Sequence, residues 1–173
     1  MARIAILTVS DRASRGDYAD RGGPAAEDWL RMVLTSAVEY RREIIPDGAQ
    51  PVAEALRGLA DDWRADLILV TGGTGPSPRD RTPEGMAAVL DFDLPGFGEA
   101  MRQASLAEVP TAILSRQGAG VRGRSLIITL PGNPAAIATC MAAVFAAVPY
   151  CLDLIGAARL ETDPSRIRAF RPG

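Results

Sequence analysis

Asp66-Leu67-Ile68-Leu69-Val70-Thr71-Gly72-Gly73-Thr74-Gly75-Pro76-Ser77-Pro78-Arg79-Asp80 joins an apolar run to a glycine-rich turn that closes on a carboxylate. A short apolar run ahead of such a turn reads as a strand buried on both faces, the kind found in parallel sheets. Glycine lets main-chain N–H groups come close to an anion and supplies backbone angles that other residues resist. The hydroxyls of Thr71, Thr74 and Ser77 add donors, and Asp80 sets a carboxylate where a divalent metal on phosphate oxygens needs a ligand. The stretch predicts a phosphorylated ligand with a metal, held at the end of a central strand.

Working outward, strand-like and helix-like segments alternate. Arg3 to Ser10 and Val38 to Ile45 read as strands, the second closed by Pro46-Asp47-Gly48. Ala13 to Gly23 reads as a loop; Pro24 and Pro51 each suit the first turn of a helix. Thr82-Pro83-Glu84 predicts another helix, with Thr82 as its cap. A further helix runs from Pro95-Gly96 to Leu106. Pro110 to Ser115 and Ser125 to Leu130 are two β-type runs, with a hairpin expected in the glycine- and arginine-rich stretch between them. Pro131-Gly132-Asn133-Pro134 is a second tight turn, ahead of an alanine-rich helix.

This order predicts one domain over residues 1–173, a three-layer α/β/α sandwich with a mostly parallel sheet and one antiparallel strand. Ligands of such folds lie outside the carboxyl ends of the strands. Ser10-Asp11-Arg12, Asp47, Thr71 to Asp80 and Pro131 to Pro134 all follow strands, so one shared edge is the expected site. On local grounds Ser10-Asp11-Arg12 is as readily a cap and turn as a phosphate contact. Asp47 alone is a turn aspartate; its place in the fold would face it toward Asp80, and two carboxylates commonly hold magnesium against polyphosphate.

Composition narrows the chemistry. The 173 residues carry a net charge of −2, which implies no attraction to nucleic acid. All 19 basic residues are arginine, so a Walker-type loop has no lysine. There is no histidine, which excludes Ser-His-Asp triads and His-ligated zinc. Cys140 and Cys151 form no CxxC motif and read as core thiols in a reducing, cytoplasmic setting. No signal sequence is read at the start. The apolar region from Ala135 to Leu154, interrupted by Thr139, Pro149 and Asp153, reads as core helix and not a membrane span.

Val9-Ser10-Asp11-Arg12, Ile45-Pro46-Asp47, Thr71 to Pro76 with Asp80, Thr82-Pro83-Glu84, Pro95 to Glu99 with Met101-Arg102, Ala112 to Arg116, Leu130 to Pro134 and Val148-Pro149-Tyr150-Cys151 together resemble the molybdenum cofactor biosynthesis family of the MogA/MoaB type. The resemblance spans nearly the whole chain and leans to the bacterial adenylyltransferase branch. It implies transfer of AMP from MgATP to the terminal phosphate of molybdopterin, with ATP and molybdopterin as substrates and Mg2+ as the metal. It further implies a homotrimer, with hand-over to a molybdenum insertase as a possible next step. Asp47 and Asp80 would be the essential acidic pair and the metal ligands. Thr71, Gly72, Gly73, Thr74, Gly75 and Ser77 would cradle phosphate, with Thr82 in the same set; Ser10, Asp11 and Arg12 complete it, and Pro131, Gly132, Asn133 and Pro134 would frame the pocket. A carrier that binds molybdopterin without adenylylating it, or a protein of MoaB type, is the alternative.

Overall fold

The computed structural model describes residues 1–173. Its strands are β1 (Ala2–Val9), β2 (Val38–Ile45), β3 (Leu67–Thr71), β4 (Phe92–Asp93), β5 (Ala119–Arg122) and β6 (Ser125–Leu130). Its α-helices are α1 (Asp11–Ser14), α2 (Gly22–Val33), α3 (Ala49–Arg57), α4 (Thr82–Ala87), α5 (Pro95–Leu106), α6 (Pro134–Val144) and α7 (Val148–Leu154). One sheet runs in the order β2-β1-β3-β6-β5-β4. The first four are parallel, and β5 alone runs against them.

The alternation of side chains along each buried strand makes the layers. Ile4 and Ile6 of β1, with Leu67, Leu69, Leu126 and Ile128, face a core closed by α2, α5, α6 and α7. Ala5, Leu7 and Val9, with Ile68, Val70 and Ile127, face a smaller core under α3 and the α4 region. The sheet therefore carries helices on both faces, the sandwich expected. Trp29 and Phe145 meet edge to face at 5.1 Å between ring centroids in the larger core. Edge strand β2 alternates half-buried and exposed positions and carries Glu39, Arg41, Arg42 and Glu43, a charged edge that resists further strand addition.

Three local expectations change. Pro110–Leu114 is a 3-10 turn, not a strand, and leaves Ile113 and Leu114 exposed. The hairpin partner of β6 is instead β5, within the glycine- and arginine-rich stretch, with the turn made at Gly123 (φ +55°). Apolar content marks a β-type run but not whether a neighbour is there to pair with it. Part of the expected loop after Ser10 is the short α1. The apolar segment Pro134–Leu154 is 21 residues and contains an 18-residue window with a mean hydropathy of 2.0, long and apolar enough by composition to cross a membrane. It breaks into α6, a 3-10 turn and α7, and Ile137, Met141, Phe145 and Leu152 are buried in the larger core.

At the amino edge of the sheet Asp66 is a buried clasp. Its carboxylate accepts the main-chain N–H groups of Arg3 (2.9 Å) and Ala158 (2.8 Å). Arg124 completes it at 3.4 Å. It thus ties the starts of β1, β3 and β6 to the chain leaving α7. Asp66→Ala strands both N–H groups, each costing about 1–3 kcal/mol when left unpaired. The expected outcome is a loss of roughly 2–4 kcal/mol in urea unfolding.

Candidate active site at the carboxyl edge of the sheet

Register brings four strand ends level. Val9 pairs with Ile45, Thr8 with Thr71, and Thr71 with Leu130. Main-chain bonds continue past the strands: Ser10 N–H donates to Ile45 C=O (2.9 Å) and Gly72 N–H to Leu130 C=O (3.1 Å). The turn after β3 requires glycine. Gly72 and Gly73 hold φ of +93° and +66°. A Cβ on Gly72 would stand 2.4 Å from the Val9 carbonyl oxygen. Thr82 fastens the turn from the far side, its hydroxyl donating to Gly72 C=O (2.9 Å) and its N–H to Gly73 C=O (3.1 Å). It is therefore an anchor of the glycine loop and not the cap of α4, whose N-cap position is Arg81.

With Gly72 N–H used by Leu130, the N–H groups of Gly73, Thr74 and Gly75 have no protein acceptor. They form a row of free donors on a half-buried loop, the arrangement that binds anions. Thr71 and Thr74 are buried. The Thr71 hydroxyl points into a chain of polar contacts, donating to Thr8 (3.4 Å), which donates to Asp20 (2.8 Å). Asp20 also accepts Gly23 N–H (3.1 Å) at the start of α2. Ser77 is exposed and gives its N–H to Asp80 (3.2 Å).

Ser10 caps α1 by accepting Ala13 N–H (3.2 Å). Asp11 and Asp47 lock reciprocally: the Asp47 carboxylate accepts Asp11 N–H and the Asp11 carboxylate accepts Asp47 N–H, both at 3.0 Å. Arg12 lies over the Tyr18 ring at 5.3 Å and pairs with no carboxylate. No hydrogen bond joins Asp47 to Asp80. What brings their segments near one another is Gly85: a Cβ there would stand 2.7 Å from Ala49 C=O, so α4 lies directly on the first turn of α3. Asp47 and Asp80 each precede one of these two packed helices.

The Pro131-Gly132-Asn133-Pro134 turn divides the edge into two cavities. Asn133 caps α6, its side-chain oxygen accepting Ala135 N–H (2.9 Å), and Pro134 begins the helix. On one side a cavity of about 660 Å³ is lined by Ser10, Arg12, Asp20, Thr71, Gly72 and Gly132, among others. On the other a cavity of about 440 Å³ is lined by Thr74, Gly75, Ser105, Ser115, Gln117 and Thr139, among others. Asn133 and Ala135 line both. Asp47 and Asp80 line neither, and stand outside them on the α3 and α4 side.

Several lining residues went unread in the sequence. Asp20 precedes Gly22-Gly23-Pro24, where a cap-type residue ahead of a helix was the available signal. Ser115 and Gln117 flank Arg116; the Ser115 hydroxyl donates to the Gln117 side-chain oxygen (2.8 Å), and Gln117 reaches Cys140 Sγ (3.3 Å). Arg102, three residues after Glu99 on α5, donates to Gln117 C=O (2.7 Å), behind the smaller cavity. Burial pushes the Cys140 and Cys151 thiols up, which removes them as nucleophiles. Hydrogen bonding from Arg116 holds the Glu84 carboxyl below its usual range.

Asp47 and Asp80 each use one carboxylate oxygen on a main-chain N–H and leave the other without a protein donor. Free carboxylate oxygens at an accessible edge are the ligand type magnesium takes, with phosphate oxygens and water filling its other positions. The donor set fits that ion. No cluster of three or more acidic or thiol groups stands ready for an all-protein metal cage.

The comparisons with known proteins follow this geometry. The family model described as a probable molybdopterin binding domain matches residues 5–150. The molybdopterin adenylyltransferase of Helicobacter pylori is 48% identical over 169 residues, covering 98% of this chain and 96% of that protein. That of Escherichia coli is 45% identical over 182 residues, covering 98% and 93%. Among solved structures, the molybdopterin biosynthesis enzyme MoaB of Thermus thermophilus superposes with a TM-score of 0.84 at 41% identity, covering 93% of this chain and 100% of that one. The molybdopterin biosynthesis Mog protein of Mycobacterium ulcerans gives 0.83 at 40%, covering 90% and 99%. With a match over nearly its whole length, the chain belongs to the molybdopterin-binding family of molybdenum cofactor biosynthesis proteins.

Proposed function

We infer that the protein is a molybdopterin adenylyltransferase acting as one domain over residues 1–173. A terminal phosphate oxygen of molybdopterin attacks the α-phosphorus of ATP; the new P–O bond forms as the bond to the β-phosphate oxygen breaks, and pyrophosphate leaves. The observation that carries this reading is the row of unpaired N–H groups at Gly73, Thr74 and Gly75, beside Asp80 and at the wall of a cavity. Adenylyl transfer asks little of a protein nucleophile, because the substrate supplies one. Alignment and charge neutralisation do most of the work. A chain without histidine or lysine can provide both through main-chain donors, arginine and carboxylates.

Two cavities meeting at Asn133 fit a reaction that joins two anionic substrates. The free N–H groups of the glycine loop hold phosphate oxygens near that junction, and Arg12, with no carboxylate partner, is available to an anion in the larger cavity. Asn133 and Pro134 fix the partition, since the cap and the proline make the turn rigid. Asp47 and Asp80 would hold Mg2+, which when bound supplies positive charge against the repulsion of the two phosphates.

The finer statements rest on the resemblance together with particular features. Leu106, Val109, Ile113 and Leu114 are 41–67% exposed beside an α6 face of exposed alanines at 135, 138, 142 and 143, an apolar area that supports packing against copies of the same chain. A homotrimer is expected, with a mass by light scattering of three times the 18.3 kDa chain. Use of ATP favours the cytoplasm, and hand-over of the adenylylated product to an insertase is the expected next step.

Asp80→Ala and Asp47→Ala should both stay folded by circular dichroism, Asp47→Ala with about 1 kcal/mol less stability for the Asp11 N–H it strands. Both should lower pyrophosphate release by about 10²–10³-fold, as loss of one charge-stabilising group commonly does. Retained turnover in either variant removes that residue from the role given it. Molybdopterin binding without pyrophosphate release in the parent protein would make it a carrier. Gly75→Ala offers a gentler probe: its Cβ would sit 2.9 Å from Asp80 Oδ2, so the carboxylate must shift while the fold stays intact. Activity in the same assay should fall, with circular dichroism unchanged.

A further inference from the structure

Arg116 follows the 3-10 turn Pro110–Leu114, next to Ser115. It lines neither cavity. Its contacts are with the loop that carries Asp80 and with Glu84 at the start of α4. Its main-chain N–H donates to Thr74 C=O (2.8 Å). Its guanidinium donates through Nε to Gly75 C=O (3.1 Å) and through Nη2 to Asp80 C=O (2.7 Å). The remaining edge of the fork meets the Glu84 carboxylate, Nη1 on Oε1 and Nη2 on Oε2.

Those two carbonyls bracket the segment Gly75 to Asp80. Inside it, Asp80 N–H donates to Ser77 C=O (2.9 Å) and Ser77 N–H returns to the Asp80 carboxylate (3.2 Å). The segment is a small closed turn whose two ends are fastened to one planar cation. Pro76 and Pro78 limit its main-chain freedom and cannot donate hydrogen bonds themselves. The half-buried ends, Gly75 and Asp80, leave their carbonyls to a donor from outside the turn, and Arg116 is that donor. Glu84, on the first turn of α4, holds the plane of the fork, and its reduced tendency to take up a proton agrees with that contact.

We propose that Arg116 is a positioning residue for adenylyl transfer: it sets the Gly75–Asp80 turn so that the Asp80 carboxylate and the Gly73–Gly75 N–H groups face the same phosphates, while touching no substrate itself. Its neighbours Ser115 and Gln117 line the smaller cavity, so one short segment fixes both a wall of that cavity and the acidic loop beside it. A lysine cannot replace it. A single ammonium on a flexible stem does not reach two carbonyls and a carboxylate in one plane. Glu84 acts one step further out, through Arg116.

The inference deepens the adenylyltransferase reading and rests on it for its activity arm; its structural arm is independent. Arg116→Lys, Arg116→Gln and Glu84→Gln are compared with the parent by amide hydrogen exchange over residues 73–81, by pyrophosphate release as a function of ATP and Mg2+, and by circular dichroism. Arg116→Lys should speed exchange in 73–81 without changing the core strands. It should lower kcat by roughly ten- to hundred-fold, the scale expected of a small misplacement of a reacting group. It should also raise the Mg2+ concentration needed for half-maximal rate. Glu84→Gln should show the same pattern at smaller size, and the double variant Arg116→Gln/Glu84→Gln should be no worse than Arg116→Gln alone. Parent-like exchange and parent-like Mg2+ dependence in Arg116→Lys overturn the proposal. If Arg116→Lys proves unfolded, Glu84→Gln decides it on the same readouts. A parent protein that releases no pyrophosphate defeats the function reading, and the exchange comparison still decides whether Arg116 sets the loop.

Discussion

Parallel pairing is the constraint from which the functional edge follows. Strands β2, β1, β3 and β6 run the same way, so every turn that leaves them leaves from one side of the sheet. Their registers end nearly level, and main-chain bonds then carry the pairing a residue further, from Ser10 to Ile45 and from Gly72 to Leu130. The turns are not free loops resting on a scaffold but extensions of the ladder. At the opposite edge the buried Asp66 carboxylate gathers the strand starts. One end of the sheet is closed by a charge that stays inside; the other opens on donors that face out.

Much of this layout was legible in the sequence. The bounds of β2 are those read from Val38 to Ile45, because Pro46 stops the pairing and the β-branched residues at both ends frame a charged edge. The glycine loop was legible because its backbone angles admit little else, and Gly72 and Gly73 do adopt them. What remained hidden depends on distant partners. Pro110 to Leu114 has strand-like residues but lies where no strand is free to pair, so it curls into a 3-10 turn. Thr82 looked like a cap by its neighbours, yet the carbonyl it bonds belongs to Gly72, ten residues earlier. Arg102 had Glu99 nearby on its own helix and chose a carbonyl on another segment. The reciprocal bonding of Asp11 with Asp47 links two strand ends that no local pattern relates.

The proposed site would be made with few kinds of polar group. Main-chain N–H groups supply fixed donors, and these cost no reorganisation when an anion arrives. Arginine supplies every side-chain cation, and it does so as a planar fork that can hold several acceptors at once. In Arg116 the acceptors are the loop itself, so the cation shapes the site from behind. Carboxylates are kept at the rim, on segments drawn together by the tight approach of α4 to α3 at Gly85.

The absence of imidazole and lysine side chains has a bearing on acidity. No side-chain type in the chain ordinarily exchanges its proton between pH 5 and 8. The shifts that do occur lead further away: arginine contacts draw Glu84 and Asp61 downward, while burial drives Tyr40, Cys140 and Cys151 upward. The folded polypeptide thus offers a nearly constant electrostatic backdrop across neutrality. No side chain of the fold accounts for a bend in a rate profile there; the monoester phosphate of a substrate, whose second proton leaves at about pH 6, does.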